Sequence, residues 1–157
     1  MKFNYLNIYN NLIKLTRNKN LYLKLKKKDT FSDRLIILLF HFGFFLKYYK
    51  SDISKKESQK LFDFLFRQIE LSIREIGYGD VIVNKKMKSY INLFYSIIEK
   101  IELWDKSKNL DKQLFLKSYL NIDNNFEFYV NYFDKYRSFL LKNTLNIFLK
   151  DIISHKF

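Results

Sequence analysis

Apolar residues recur every three or four positions along almost the whole chain, and little interrupts them: there is no proline and there are only three glycines in 157 residues. That spacing puts apolar side chains on one face of an α-helix, whereas a half-buried strand needs alternation with a period of two. No segment alternates convincingly, and Val81, Ile82 and Val83 are too short a run to matter. The sequence therefore predicts an all-α fold, a single compact domain over residues 1–157 with about six helices. At 48% hydrophobic residues the chain can bury a core, and its composition is not that of a disordered segment.

The first helix is expected from Phe3 to Arg17, with Tyr5, Ile8, Leu12 and Leu15 on one stripe. A less regular basic stretch, Leu21 to Lys28, follows. Ser32 or Asp33 is the candidate N-cap of a second helix that is apolar all round and therefore central. Its most apolar run, Leu35 to Leu46, would span only ~18 Å at the helical rise, against ~30 Å of bilayer hydrocarbon, so it reads as a core helix. After a polar break at Ser51 to Lys56, a third helix to Ile76 carries Phe62, Phe66, Ile69, Ile73 and Ile76 inward. Gly77 stands where a left-handed C-terminal cap belongs. A connection through Val83, with Asn84 as N-cap, leads to a fourth helix, Lys85 to Asp105, with Met87, Ile91, Phe94, Ile98, Ile101 and Trp104 inward. A fifth helix, Leu110 to Leu120, ends at the Asn121–Asn125 break. The sixth, Phe126 to Ile153, is long enough to bend or break near Asn143.

Lys and Arg number 29 against 16 Asp and Glu, a formal charge of +13. There is no Ala, only five of the basic residues are Arg, and Lys, Asn, Ile, Phe and Tyr abound, as AT-rich codons would dictate. Codon bias accounts for Lys over Arg but less well for the excess of positive charge, which favours an anionic partner such as RNA or a lipid surface. Lysines cluster at Lys24, Lys26, Lys27 and Lys28, at Lys47, Lys50, Lys55 and Lys56, and at Lys85, Lys86 and Lys88. No helix-turn-helix, RNP motif or zinc knuckle points to base reading, so contact with nucleic acid would be with RNA backbone, and DNA is not expected. The amino terminus runs directly into a helical pattern, without the features of a secretory signal or an Arg/Ser-rich presequence.

Catalytic chemistry has few footholds. Without Cys there is no disulfide, no thiolate metal site and no thiol nucleophile, and three glycines leave no Gly-rich phosphate loop. His41 sits in the most apolar helix and reads as a buried, hydrogen-bonded structural residue, while His155 is expected at the surface. No paired His or Glu-x-x-His spacing supplies a helical metal site, and nothing marks His41 as a base for a serine nucleophile. Glu70 and Glu75 read as solvated charges. No catalytic residue, metal or cofactor is expected, and the chain is not read as an enzyme.

The richest block is Leu61 to Phe94: a helix, a glycine stop, a tight acidic corner and a basic helix start. Arg74 and Glu75 fall in the last turn of the third helix, where Arg complements the exposed carbonyls. Asp80 lies one corner away, placed to accept hydrogen bonds from Arg74 or from backbone amides around Asn84. Such a pairing would pin the corner.

In this block the chain resembles the ubiquinol–cytochrome c chaperone family. The matching segments are Leu61-Phe62-Asp63, Arg74-Glu75-Ile76-Gly77-Tyr78-Gly79-Asp80, Lys85-Lys86-Met87-Lys88 and Phe94-Tyr95. Weaker matches in order are Tyr9 to Arg17, Asp29-Thr30, Asp33-Arg34 and Leu39-x-His41, so that the resemblance runs from about Tyr9 to Leu141. Ser96 and Ile97 stand where the family pattern has Gly-Arg, and Tyr78 replaces a small aliphatic residue, which suggests an exposed aromatic at the corner. The resemblance implies a non-catalytic assembly factor that binds newly made cytochrome b and supports biogenesis of the ubiquinol–cytochrome c reductase complex. It implies further partners, a small protein and the ribosome exit region, and peripheral contact with an anionic membrane. The implied location is the bacterial cytoplasm at the inner face of the inner membrane. The residues it marks for partner binding are Asp63, Arg74, Glu75, Gly77, Tyr78, Gly79, Asp80, Lys85, Lys86, Lys88, Phe94 and Tyr95, with Tyr90 a further candidate for a client groove. A basic ribosome- or RNA-backbone-binding module without a dedicated client stays open as the alternative.

Overall fold

A computed structural model describes residues 4–25, 30–122, 124–152 and 157. Among these the regular structure is all helical: α1 (Tyr5–Thr16), α2 (Phe31–Tyr49), α3 (Lys55–Ile76), α4 (Asp80–Glu102), α5 (Asn109–Tyr119), α6 (Phe126–Lys142) and α7 (Leu145–Asp151), with 3₁₀ turns at Lys19–Leu21 and Trp104–Lys106. The helices number seven rather than six because the long C-terminal pattern does break at Asn143. Thr144 opens α7 by accepting from the amide of Ile147. Phe3, Lys26, Lys27, Lys28 and His155 lie outside the described residues.

Local chemistry sets the boundaries. α2 starts earlier than expected, because Thr30 rather than Ser32 or Asp33 is its N-cap: the Thr30 hydroxyl accepts from the Asp33 amide, and the Asp33 carboxylate accepts from the Thr30 amide. Ser54 and Glu57 build the same reciprocal cap on α3. α3 ends at Gly77, whose φ of +109° costs a residue without Cβ little. The largest departure from the sequence reading is at the next start. α4 begins at Asp80 with Gly79 as N-cap, so Val81, Ile82 and Val83 form its first turn and Asn84 lies inside the helix.

α2 is the central element and packs against α1, α4 and α6, while α3 lies beside α1 and α4, α5 on α6, and α7 on α1. Twelve of its residues are buried, from Asp33 to Tyr49, as an apolar-all-round helix requires. Gly43 lets α4 come close: a Cβ there would lie 2.6 Å from Ile101 Cδ1. Phe42 stacks on Phe94 with ring centroids 5.1 Å apart, and Phe44 on Phe133 at 5.5 Å. On the α4 stripe Phe94, Ile101 and Trp104 are buried as expected, but Ile97 is buried too, and Met87, Ile91 and Ile98 are only partly covered.

Polar groups inside this aromatic core are satisfied. The hydroxyls of Tyr49, Tyr129 and Tyr136 donate to the carbonyls of Asn143, Leu21 and His41 at 3.1, 2.7 and 3.0 Å. His41 is fully buried, with Nδ1 3.2 Å from Thr16 Oγ1 and Nε2 2.8 Å from the Tyr132 hydroxyl. Thr16 already donates to the Leu12 carbonyl, so His41 Nδ1 donates to Thr16 and Nε2 accepts from Tyr132. At one edge Asp105 accepts from Tyr48 at 2.7 Å and from Arg137, and pairs with Lys47 at 3.3 Å, tying α2 and α6 to the end of α4. Burial would raise the Asp105 carboxyl, but the bonds from Tyr48 and Arg137, together with the Lys47 charge, hold it below its ordinary value.

Candidate functional site

The α3–α4 corner contains only Gly77, Tyr78 and Gly79 between the two helices. The Gly77 amide donates to the Arg74 carbonyl at 3.0 Å, closing α3, and the Val83 amide donates to the Gly79 carbonyl at 3.0 Å, opening α4. Gly79 itself has an ordinary φ of −76°, and a Cβ there would meet nothing within 4 Å. The backbone of this chain therefore favours glycine at 77, through its positive φ, while packing leaves open space for a Cβ at both 77 and 79.

Arg74 bridges the corner. Its Nη1 donates to Asp80 Oδ1 at 2.5 Å and its Nη2 to Glu70 Oε1 at 3.3 Å, while Arg67 reaches Glu70 Oε2 at 2.9 Å. Of the two acceptor roles expected for Asp80, the one from Arg74 is present. Asp80 also sits in the first turn of α4, where a carboxylate complements the helix dipole. The bonds from Asp80 and then Glu70 raise the Arg74 pKa, and those from Arg67 and Arg74 lower that of Glu70. Glu70 is thus an organising residue rather than a solvated charge. Its spacing, three residues from Arg67 and four from Arg74, is the helical pair spacing that could have identified it. Glu75 is exposed, with no ion-pair partner among the described residues.

Around this pin the corner exposes apolar surface. Ile76, Tyr78, Val81 and Ile82 are 55%, 41%, 70% and 47% exposed, so Ile76 is not the inward residue that its spacing indicated. Lys85 and Lys88 are exposed just beyond, and Lys86 lies 4.8 Å from the centre of the Tyr78 ring, a cation–π contact that orients the tyrosine. An apolar tip with ammonium groups behind it is suited to a partner that has both apolar and anionic surface.

The marked residues do not form one site. Arg74, Gly77, Tyr78, Gly79, Asp80, Lys85, Lys86 and Lys88 gather at the corner. Asp63 lies eleven residues up α3, about 16 Å away along the axis, and accepts from Gln59 at 2.8 Å. Tyr95 is 54% exposed and stacks on Phe62 at that distant end of the helix pair. Phe94 is fully buried against Phe42, so its part in the motif is to hold α4 on α2 and not to touch a partner. Ile97, also fully buried, packs at the Gly43 crossing. Tyr90 is half-buried against the core. Lys47 leaves its cluster altogether: its ammonium donates to the Ile101 and Glu102 carbonyls at 3.0 and 3.1 Å and pairs with Asp105.

His41 has both ring nitrogens engaged, and burial lowers its pKa to about 3, only partly offset by the Ile37 carbonyl. It is a neutral structural residue, not a poised base. Among the described residues no group of three or more His, Asp or Glu side chains could hold a metal ion, and no helix is long and apolar enough to cross a membrane.

A small helical domain whose most distinctive surface is a pinned, apolar, lysine-backed corner has the form of a binding module. The chain belongs to the ubiquinol–cytochrome C chaperone family, whose model matches residues 23–117, well over half of the chain and all of α2, α3 and α4. The match begins after α1 and ends within α5, so Tyr9 to Arg17 and the segment up to Leu141 fall outside it. No curated protein and no solved structure matches the chain. Family membership gives it a chaperone role in the assembly of respiratory complex III.

Proposed function

We propose that the chain is a non-catalytic chaperone that binds newly made cytochrome b while the ubiquinol–cytochrome c reductase complex is built, and that the α3–α4 corner is where the client docks. The observation that carries this reading is the family match across residues 23–117, which contains the whole corner. The corner's geometry supports it. Ile76, Tyr78, Val81 and Ile82 offer apolar contact to a membrane subunit, and Lys85, Lys86 and Lys88 offer charge to its anionic flanks or to nearby lipid headgroups. Work at the inner face of the inner membrane, with a small partner protein and close to the ribosome exit, belongs to the same reading. The overall charge of +13 suits both rRNA and anionic lipid.

The test is photo-crosslinking in cells from residue 78 or 81, with residue 63 as a probe at the distant end of the same helix pair. Cytochrome b captured from the corner and not from residue 63 is the expected result. Capture of rRNA or ribosomal proteins alone would replace this reading with that of a basic ribosome-binding module. Unimpaired assembly of the reductase in a strain lacking the chain would sink the reading outright.

A further inference from the structure

The face of α4 turned away from the core carries a charge pattern of its own. Lys85, Lys88, Asn92, Tyr95, Glu99 and Glu102 follow one another at spacings of three and four, within about 100° of the helix circumference, and all are exposed. The buried Val83, Phe94, Ile97 and Ile101 occupy the opposite side. In a chain of formal charge +13 this stripe is balanced, with two ammonium groups in its N-terminal half and two carboxylates in its C-terminal half. The order runs against the helix itself, since Glu99 and Glu102 occupy the last turn, where the dipole disfavours carboxylates. None of these four charged side chains has an ion-pair partner among the described residues. Lys88 and Glu99, the nearest of opposite sign, are about 16 Å apart along the axis and do not meet within one chain. Tyr95 is held at mid-stripe by its stack on Phe62.

Turned end over end, the stripe is its own complement. An antiparallel copy brings Lys85 opposite Glu102, Lys88 opposite Glu99 and Asn92 opposite Tyr95, each contact made twice about a two-fold axis. We propose that α4 pairs with α4 of a second copy in this antiparallel register, so that the chain without its client is a symmetric dimer. The charge of +13 on each copy does not forbid it, because at physiological salt charges more than ~8 Å apart are largely screened and the facing stripes are neutral. The 23 residues of α4 give an interface about 34 Å long, at the small end of specific contacts, so the dimer is reversible. Lys85 and Lys88 also belong to the client surface proposed above, so copy and client exclude each other; the pairing itself is tested without a client.

Sedimentation equilibrium of the purified full chain and of two charge-reversed variants tests it. The parent is expected to pass from monomer to dimer as its concentration rises. Lys85→Glu/Lys88→Glu puts four carboxylates on the stripe, and Glu99→Lys/Glu102→Lys puts four ammonium groups there. Each variant alone is expected to dimerise about tenfold or more weakly at unchanged helical content. Mixed in equal amounts, the two restore every contact of opposite sign, and a heterodimer at least as tight as the parent dimer is expected. Both variants remain positive overall, so their association reports the stripe and not net charge. Glu99→Lys/Glu102→Lys leaves the corner untouched, so capture of cytochrome b from its residue 78 reads the client proposal separately. A parent chain that stays monomeric up to about 0.5 mM, a dimer that either reversal leaves unchanged, or variants that fail to associate when mixed would each overturn the proposal.

Discussion

Gly77 ends α3 in the left-handed region, and any other side chain placed there would have to adopt φ near +109°. Gly77→Ala is expected to cost about 1–2 kcal/mol, with Gly77→Asn costing less, measured as a lower urea midpoint at unchanged slope. Gly79 has no such backbone constraint, but as the N-cap of α4 it is expected to lose about 0.5–1 kcal/mol on Gly79→Ala, because Ala caps a helix start less well than Gly. His41 gives the residue scale its pH dependence. Its pKa is about 3 in the fold and 6.5 when unfolded, so between those values the unfolded chain binds a proton that the native chain refuses. Stability from this residue is complete above about pH 6.5 and falls as the pH drops, by about 1.4 kcal/mol per unit once His41 titrates fully in the unfolded chain. Glu70 and Asp105, whose carboxyls are held low, add a loss of the same sign only in more acid solution. Urea midpoints between about pH 6.5 and 5 therefore isolate His41, and His41→Gln is expected to flatten that part of the profile.

At the scale of elements, the α2–α4 crossing depends on one missing methyl. Gly43→Ala would press on Ile101 Cδ1 and is expected to cost about 1–3 kcal/mol. Ile101→Val removes that atom, so Gly43→Ala should cost measurably less in the Ile101→Val background, a coupling that a double-mutant cycle reads directly. The same crossing explains what the sequence could and could not reveal. Helix class and the breaks at Gly77, Asn121 to Asn125 and Asn143 were legible because period and turn chemistry are local. Ile97 was not. It adjoins Ile98, the stripe fits either one, and only the closeness of Gly43 on another helix selects Ile97. The start of α4 was hidden because its N-cap, Gly79, offers no side-chain hydrogen bond to signal it, while Asn84 looked like a cap and is not one. Within the corner, the Arg74–Asp80 contact could be anticipated from spacing. The exposure of Ile76, Val81 and Ile82 could not, since periodicity tells which residues share a face and not whether another element covers it.

For the whole molecule, the charges of the corner separate from the fold, whereas that of Lys47 does not. Lys85, Lys86 and Lys88 lie on the outer side of α4, and the core below them is built by Val83, Phe94, Ile97 and Ile101. Reversing all three to Glu is expected to preserve the circular dichroism spectrum and to abolish co-purification with the client or recovery on anionic vesicles. Association that survives the reversal would remove the lysines from the docking surface. Lys47 should behave oppositely: because it is tied to Asp105 and to α4 carbonyls, Lys47→Glu is expected to lower the melting temperature.

Trp104, the chain's one tryptophan, is buried where α4 ends, with its Nε1 donating to Asp134 at 2.9 Å and the Lys112 ammonium 4.9 Å above its face. Indole emission responds to just such neighbouring charges and to water. Light absorbed by this ring consequently reports the seating of α5 and α6 on the rest of the bundle, and a spectral change on adding a client would register, without any attached label, a rearrangement far from the corner itself.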